Sequence, residues 1–455
     1  MPPYAGTVPS RRDRRARTRA LRLLAALAVV ELIAGTAGAV ALRSREHDRH
    51  SSPTVRGGVA PAVDVDAARA AAVRSLLAAR ATAVRSRDRA AWLATVDPSA
   101  RAFRDRQGNL FDALGGVPLS DWTYRLDPEG GAPDRPDLDE LRGPGWWAPQ
   151  VTLTYRITGY DVAPTVELQR LTFVPRAGGW FVAADDDFAG AGKDTARGIW
   201  DAGPVSVARG TSCIVLGHPG SRSLMRRVAA SVDAAVPRVT AVWGPAWSQK
   251  VVVLVPSSQS ELSRIVGGTG DYSQIAAVAT AELNSAATGY HPVGDRIVIN
   301  PSNFLKLGSL GRRVVLTHEV THVATRAATG PAAPTWLVEG LADYVGYLGV
   351  GVTYAVSAQE LRDAVRAGHL PSALPSDHDF DGTNPDLAQV YEQAWTAVSL
   401  IAETYGRDGL LRFYRAVGQA EETSSAVDDA FRAALGTDLA SFTESWRRDL
   451  PTRLR

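Results

Sequence analysis

His318 and His322 stand four residues apart in the stretch LGRRVVLTHEVTHVATRAAT, with Glu319 directly after the first. On a helix this spacing stacks two imidazoles on one face, one turn apart, so both can reach a single metal ion. A carboxylate beside that ion can take a proton from a bound water, and Glu319 is placed for it. By itself the pattern is moderately specific. The next segment strengthens it. After the turn Gly330-Pro331-Ala332-Ala333-Pro334 comes TWLVEGLADYVG, in which Glu339 and Asp343 repeat the four-residue spacing. A zinc ion that keeps one position open for water needs a third protein ligand, and Glu339 offers a carboxylate oxygen. A metal-bound histidine donates its other N–H to a carboxylate, which suits Asp343. The competing reading, a surface helix with two solvated acids, fits poorly with Trp336, Leu337, Leu341 and Tyr344 around them, because buried acids need partners. Thr335 is expected to cap this second helix.

The elements that must carry these residues define an α+β chain. HEVTH followed by WLVEGLADY resembles the gluzincin zinc metallopeptidases, and is especially similar to the peptidase MA-like proteins of bacteria. The resemblance spans roughly residues 200–450. It implies that His318, His322 and Glu339 are ligands of Zn2+, that Glu319 is the general base, and that Asp343 supports the ligand set. Only 16 residues separate His322 from Glu339, so the connection must be tight. Tyr391, in YEQAWTAVSLI, resembles the tyrosine with which aminopeptidase-type gluzincins stabilise an oxyanion; packing is the alternative role. The resemblance also implies an edge strand before the metal helix, and DRIVINP (295–301) is the expected one, an ordinary sheet strand being the alternative.

Upstream of that region the organisation changes. Seven arginines between 11 and 22 form a basic cytoplasmic tail, and LLAALAVVELIAGTAGAVAL at 23–42 is long enough for a transmembrane helix. Glu31 in its middle is unfavourable, costing about 3 kcal/mol. A cleaved signal peptide is the competing reading; either way the bulk of the chain lies outside the cytoplasmic membrane. Residues 43–61 read as a tether, and His47 and His50 within it as solvated. Over 62–190, two helical stretches precede four alternating ones (DWTYRLDP, APQVTLTYRITGY, VELQRLTFVPRAG, GWFVAADD), read as antiparallel strands of a curved sheet. That order resembles the cone-shaped, nuclear-transport-factor-like α+β fold of an accessory domain. Trp146, Trp147, Tyr155 and Trp180 are read as core material there, a pocket lining being the alternative.

Across 200–450 a small sheet (including KVVVLVP) leads to the two motif helices and then to a run of helices, which resembles the helical lobe that closes one side of a gluzincin cleft. His369 and His378 fall in loops and read as solvent-exposed. Composition narrows the partners. With 50 Lys and Arg against 48 Asp and Glu, the net charge of +2 argues against nucleic acid. The single cysteine, Cys213, excludes an intrachain disulfide and reads as a buried small side chain. The expected partners are therefore a peptide or protein substrate and, through 23–42, the membrane; nothing in the sequence indicates an oligomeric state. A rival function class is a catalytically silent envelope scaffold that keeps the metallopeptidase fold.

Overall fold

The computed structural model describes residues 65–130, 135–189, 194–267, 272–284 and 291–455. The proposed cytoplasmic tail, membrane segment and tether lie outside the described residues; among those described, no helix is long and apolar enough to cross a membrane. Helices α1 (Val65–Ser86), α2 (Arg89–Ala94) and α3 (Arg101–Leu114) come first. Asp88 stops the chain from running straight on: its carboxylate accepts from the Ala91 N–H and caps α2.

The alternating stretches are strands, as read, but they do not form one continuous sheet. Strands β1 (Leu119–Asp127), β2 (Gln150–Ile157) and β3 (Thr165–Arg170) make an antiparallel sheet, while β4 (Thr172–Arg176) and β5 (Gly179–Ala184) make a separate hairpin. After the buried Leu171 the chain leaves β2 behind, and Phe173 pairs instead with Trp147 through backbone bonds of 2.9 and 2.8 Å. Tyr155 is buried against Trp122 and Trp200; Trp147 and Trp180 are half-buried against a second cluster around Phe103 and Phe173, and Trp146 packs on Phe188 and on Leu138 of the short helix α4 (Asp137–Arg142).

Five further strands form a mixed sheet: β6 (Ser206–Arg209), β7 (Cys213–Gly217), β8 (Val251–Val255), β9 (Ala277–Asn284) and β10 (His291–Ile299), in the spatial order β6–β7–β8–β10–β9. β7, β8 and β10 run parallel, with β6 and β9 antiparallel at the two edges. Every residue of β7 and β8 is buried, which a parallel sheet covered on both faces requires. Val215, Val253 and Ile297 point into the helical core, with α5 (Arg222–Trp243) and the helix that carries His318 and His322; Ile214, Leu216, Val252, Leu254 and Val298 point the other way. Their partners on that second face include Trp122, Tyr155 and Trp200 from the N-terminal half and Leu262 of α6 (Gln259–Val266). The N-terminal unit thus supplies half the wrapping of this sheet and shares its core.

β10 contains the DRIVI of DRIVINP, and it is an interior strand. The expectation of an edge strand there is overturned: β9 pairs along it from Ala277↔Ile299 to Asn284↔His291 and takes the edge.

After the short helix α7 (Pro301–Phe304) come α8 (Ser309–Thr325) and α9 (Thr335–Tyr347). Thr335 is the first residue of α9, not its cap; Pro334 occupies the cap position, and Asp377 accepts the Thr335 N–H at 2.8 Å. Short helices α10 (Tyr354–Ser357) and α11 (Gln359–Arg366) lead to the long α12 (Leu387–Gln419), which breaks at Gly406 (φ +73°). Helices α13 (Ala426–Leu435) and α14 (Leu439–Arg453) finish the lobe, burying Phe431, Phe442 and Trp446. His369 and His378 are both exposed.

Candidate metal centre

α8 is buried nearly all round over its last three turns, from Val314 to His322. Its motif residues therefore face protein whichever way they point, and His318, Glu319 and His322 are all at most 1% exposed. The neighbouring α9 packs against it through small residues. A Cβ on Gly346 would stand 3.2 Å from the Val314 carbonyl oxygen and 3.7 Å from His318 Cβ. On the opposite side, Gly340 lets α9 settle on α12, where an added Cβ would lie 2.5 Å from the Ala394 carbonyl oxygen. These close approaches fix how deep Glu339 and Asp343 sit.

The paired acids reach the paired imidazoles. His318 Nδ1 lies 2.8 Å from Asp343 Oδ1, and His318 Nε2 lies 3.1 Å from Glu339 Oε2. The Nε2 atoms of His318 and His322 face one another at 2.8 Å, and His322 Nε2 is 3.5 Å from the same Glu339 oxygen. One ligand atom from each of His318, His322 and Glu339 falls within 4.8 Å of the others. With Asp343 accepting the Nδ1 proton, neutral His318 presents a lone pair on Nε2.

Electrostatics favour a cation at this point. Burial opposes charging His318, yet Asp343 and then Glu339 raise its pKa well above the ordinary imidazole range. Burial would likewise raise Glu339, but His322 and His318 draw it down to about 2. Asp343 is raised by burial, which His318 opposes. Glu339 and Asp343 have no arginine or lysine partner among the described residues, and Glu339 Oε1 is buried with no hydrogen bond. Two imidazole nitrogens facing each other at 2.8 Å need a proton or a metal ion between them. The donor set, two imidazoles and one carboxylate, is that of a catalytic zinc site with a free position. The residues fit the ion.

Tyr391 is buried in the early turns of α12, three residues before Ala394, and its ring meets Phe380 edge-on with centroids 5.2 Å apart. It thus lies on the stretch of helix against which α9 packs. Positioning residues absent from the sequence reading also emerge. Arg326, just past α8, donates to Asp295 Oδ1 (3.1 Å) and to the Ala279 carbonyl (3.2 Å), tying the end of the metal helix to β9 and β10. Glu392 accepts the Leu361 N–H at 2.6 Å at the start of α11; burial and the adjacent Glu360 push its pKa up to about 10. Residues this far apart in the chain offer no local pattern by which to pair them. Cys213 is fully buried, and burial, with Asp233 nearby, pushes its thiol up to about 12.

Comparison with known proteins agrees with the chemistry of this region. Residues 296–451 match the model of the Peptidase MA superfamily. Among solved structures, the chain aligns with a two-domain M1 zinc metallopeptidase, determined as a mutant bound to L-arginine. That alignment has 14% identity and a TM-score of 0.29, covering 62% of this chain and 58% of the other. The chain thus spans less than two thirds of that relative. No curated protein matches. The family match covers the segment that holds both motif helices and supports a metallopeptidase-like function for it.

Proposed function

We propose that this chain is a zinc-dependent metallopeptidase that hydrolyses peptide bonds outside the cytoplasmic membrane. The observation that carries the reading is the meeting of His318, His322 and Glu339 at one buried point, from two helices. These three residues would hold the zinc; when bound, it lowers the pKa of a water towards ~7 and polarises the scissile carbonyl. Asp343 holds His318 with Nε2 turned inward. Glu319 accepts a proton from the attacking water as the C–O bond forms, then delivers it to the amine as the C–N bond breaks. The Tyr391 hydroxyl donates a hydrogen bond to the negative charge growing on the carbonyl oxygen. β9, the edge nearest the metal helix, takes the extended substrate as an added strand. The segment 23–42 anchors the chain, and the N-terminal unit is an accessory domain of the nuclear-transport-factor-like kind.

The test is zinc analysis together with cleavage of a peptide library by the wild type and by Glu319→Gln. Glu319→Gln is expected to keep zinc and lose turnover; full activity in that variant would refute the assignment.

A further inference from the structure

Arg80, on α1, is 3% exposed and has no ion pair among the described residues. Its Nη1 donates to Thr95 Oγ1 at 2.9 Å, its Nη2 donates to Gln107 Oε1, and its guanidinium lies 3.4 Å above the Trp92 ring. Nε is buried with no hydrogen-bond partner. Burial lowers its pKa, and Tyr124 and Asp185 offset this only in part. An enclosed guanidinium without a carboxylate is costly unless something completes its donor set.

The space beside it is not filled. Arg80 lines a cavity of about 30 Å³ together with Trp122, Tyr124 and Trp200. Gln107, Leu110, Asp185 and Asp201 line both this cavity and an adjoining cleft of about 330 Å³. Asp185, 6% exposed, holds Arg197 with Oδ2 at 2.8 Å, but its Oδ1 is buried and accepts no hydrogen bond, with Arg106 3.9 Å away. Arg80, with an unspent donor, and Asp185, with an unspent acceptor, therefore both line the inner cavity, and Asp185 lines the outer cleft as well, far in the chain from the metal motif.

We propose that this cleft binds a small carboxylate with an N–H donor beside it, as in a free amino acid or the carboxy-terminal residue of a peptide. The carboxylate meets Arg80, where charge-assisted and paired N–H bonds are strongest, and the N–H meets Asp185. Leu110 lines both the inner cavity and the outer cleft.

Binding can be read without any turnover. In the full chain carrying Glu319→Gln, so that probes survive, tryptophan emission and calorimetry are followed against alanine, dialanine, dialaninamide and acetate. Alanine or dialanine should bind saturably, with dialaninamide and acetate each weaker by roughly tenfold or more. Tighter binding of alanine identifies a free amino acid as the ligand, and tighter binding of dialanine a peptide terminus. Arg80→Gln should abolish binding. Should that variant not fold, Leu110→Trp, which adds bulk at a residue lining both spaces and leaves Arg80 in place, should do the same. Adding His322→Ala should leave binding unchanged. Equal affinity for dialaninamide, loss of binding with His322→Ala, or no binding beyond a hydrated structural arginine would overturn the proposal.

Discussion

Asp343 decides which nitrogen of His318 faces the metal position. Its carboxylate, 2.8 Å from Nδ1, holds the proton on that side and leaves Nε2 to His322 and Glu339. Asp343→Asn is expected to weaken zinc binding by about 10–100-fold, measured by competition with a chromogenic chelator. Under the proposed mechanism Glu319 has a different duty, outside the ligand set. Glu319→Gln should retain stoichiometric zinc and lower kcat by roughly 10²–10⁴-fold, whereas His322→Ala should lose both metal and activity. Tyr391→Phe tests the oxyanion role: kcat should fall by about 10²–10³-fold with KM little changed, and an unchanged kcat would leave the tyrosine to packing.

Helix placement turns on two glycines. Gly340 follows the ligand Glu339 in the chain, and its missing side chain is what lets α9 lie on the Ala394 carbonyl of α12. The obstacle to an added Cβ is backbone, which cannot swing aside. Gly340→Ala should therefore cost about 1–3 kcal/mol in denaturant unfolding and displace Glu339, lowering zinc affinity as well. Gly346 does the same work towards α8. At this scale the sequence was legible in part. Helical spacing marked α8 and α9 correctly. The strand order was not legible. DRIVINP and QIAAVATAE are both apolar strand stretches, and nothing local says which is interior; pairing of β9 along β10 settles it.

Over the whole molecule, the two halves are joined by a shared core and by a buried ion pair. Arg296 on β10 donates to Asp161 in the β2–β3 turn at 2.6 and 3.0 Å, and to Thr165 at 2.9 Å. Both charged side chains are under 10% exposed. Removing one partner leaves the other charge buried, so Asp161→Asn should destabilise the protein by about 3–5 kcal/mol, read by equilibrium denaturation. Since β10 and β9 also hold Arg326 at the end of the metal helix, the loss should be accompanied by weaker zinc retention. Zinc held at the proposed centre would add stability by binding the folded chain: chelation should lower Tm, and stoichiometric zinc should restore it.

Sequence alone picked out the residues of the candidate centre. His318 and His322 on α8, and Glu339 and Asp343 on α9, are each paired by four-residue spacing, which a helix of 3.6 residues per turn converts into a shared face without help from the rest of the fold. Only the tertiary structure decided that the two faces meet, that β9 is the edge, and that the N-terminal unit covers the back of the sheet. Those are contacts between segments tens to hundreds of residues apart, such as Asp161 with Arg296, and no local periodicity encodes a partner at that distance.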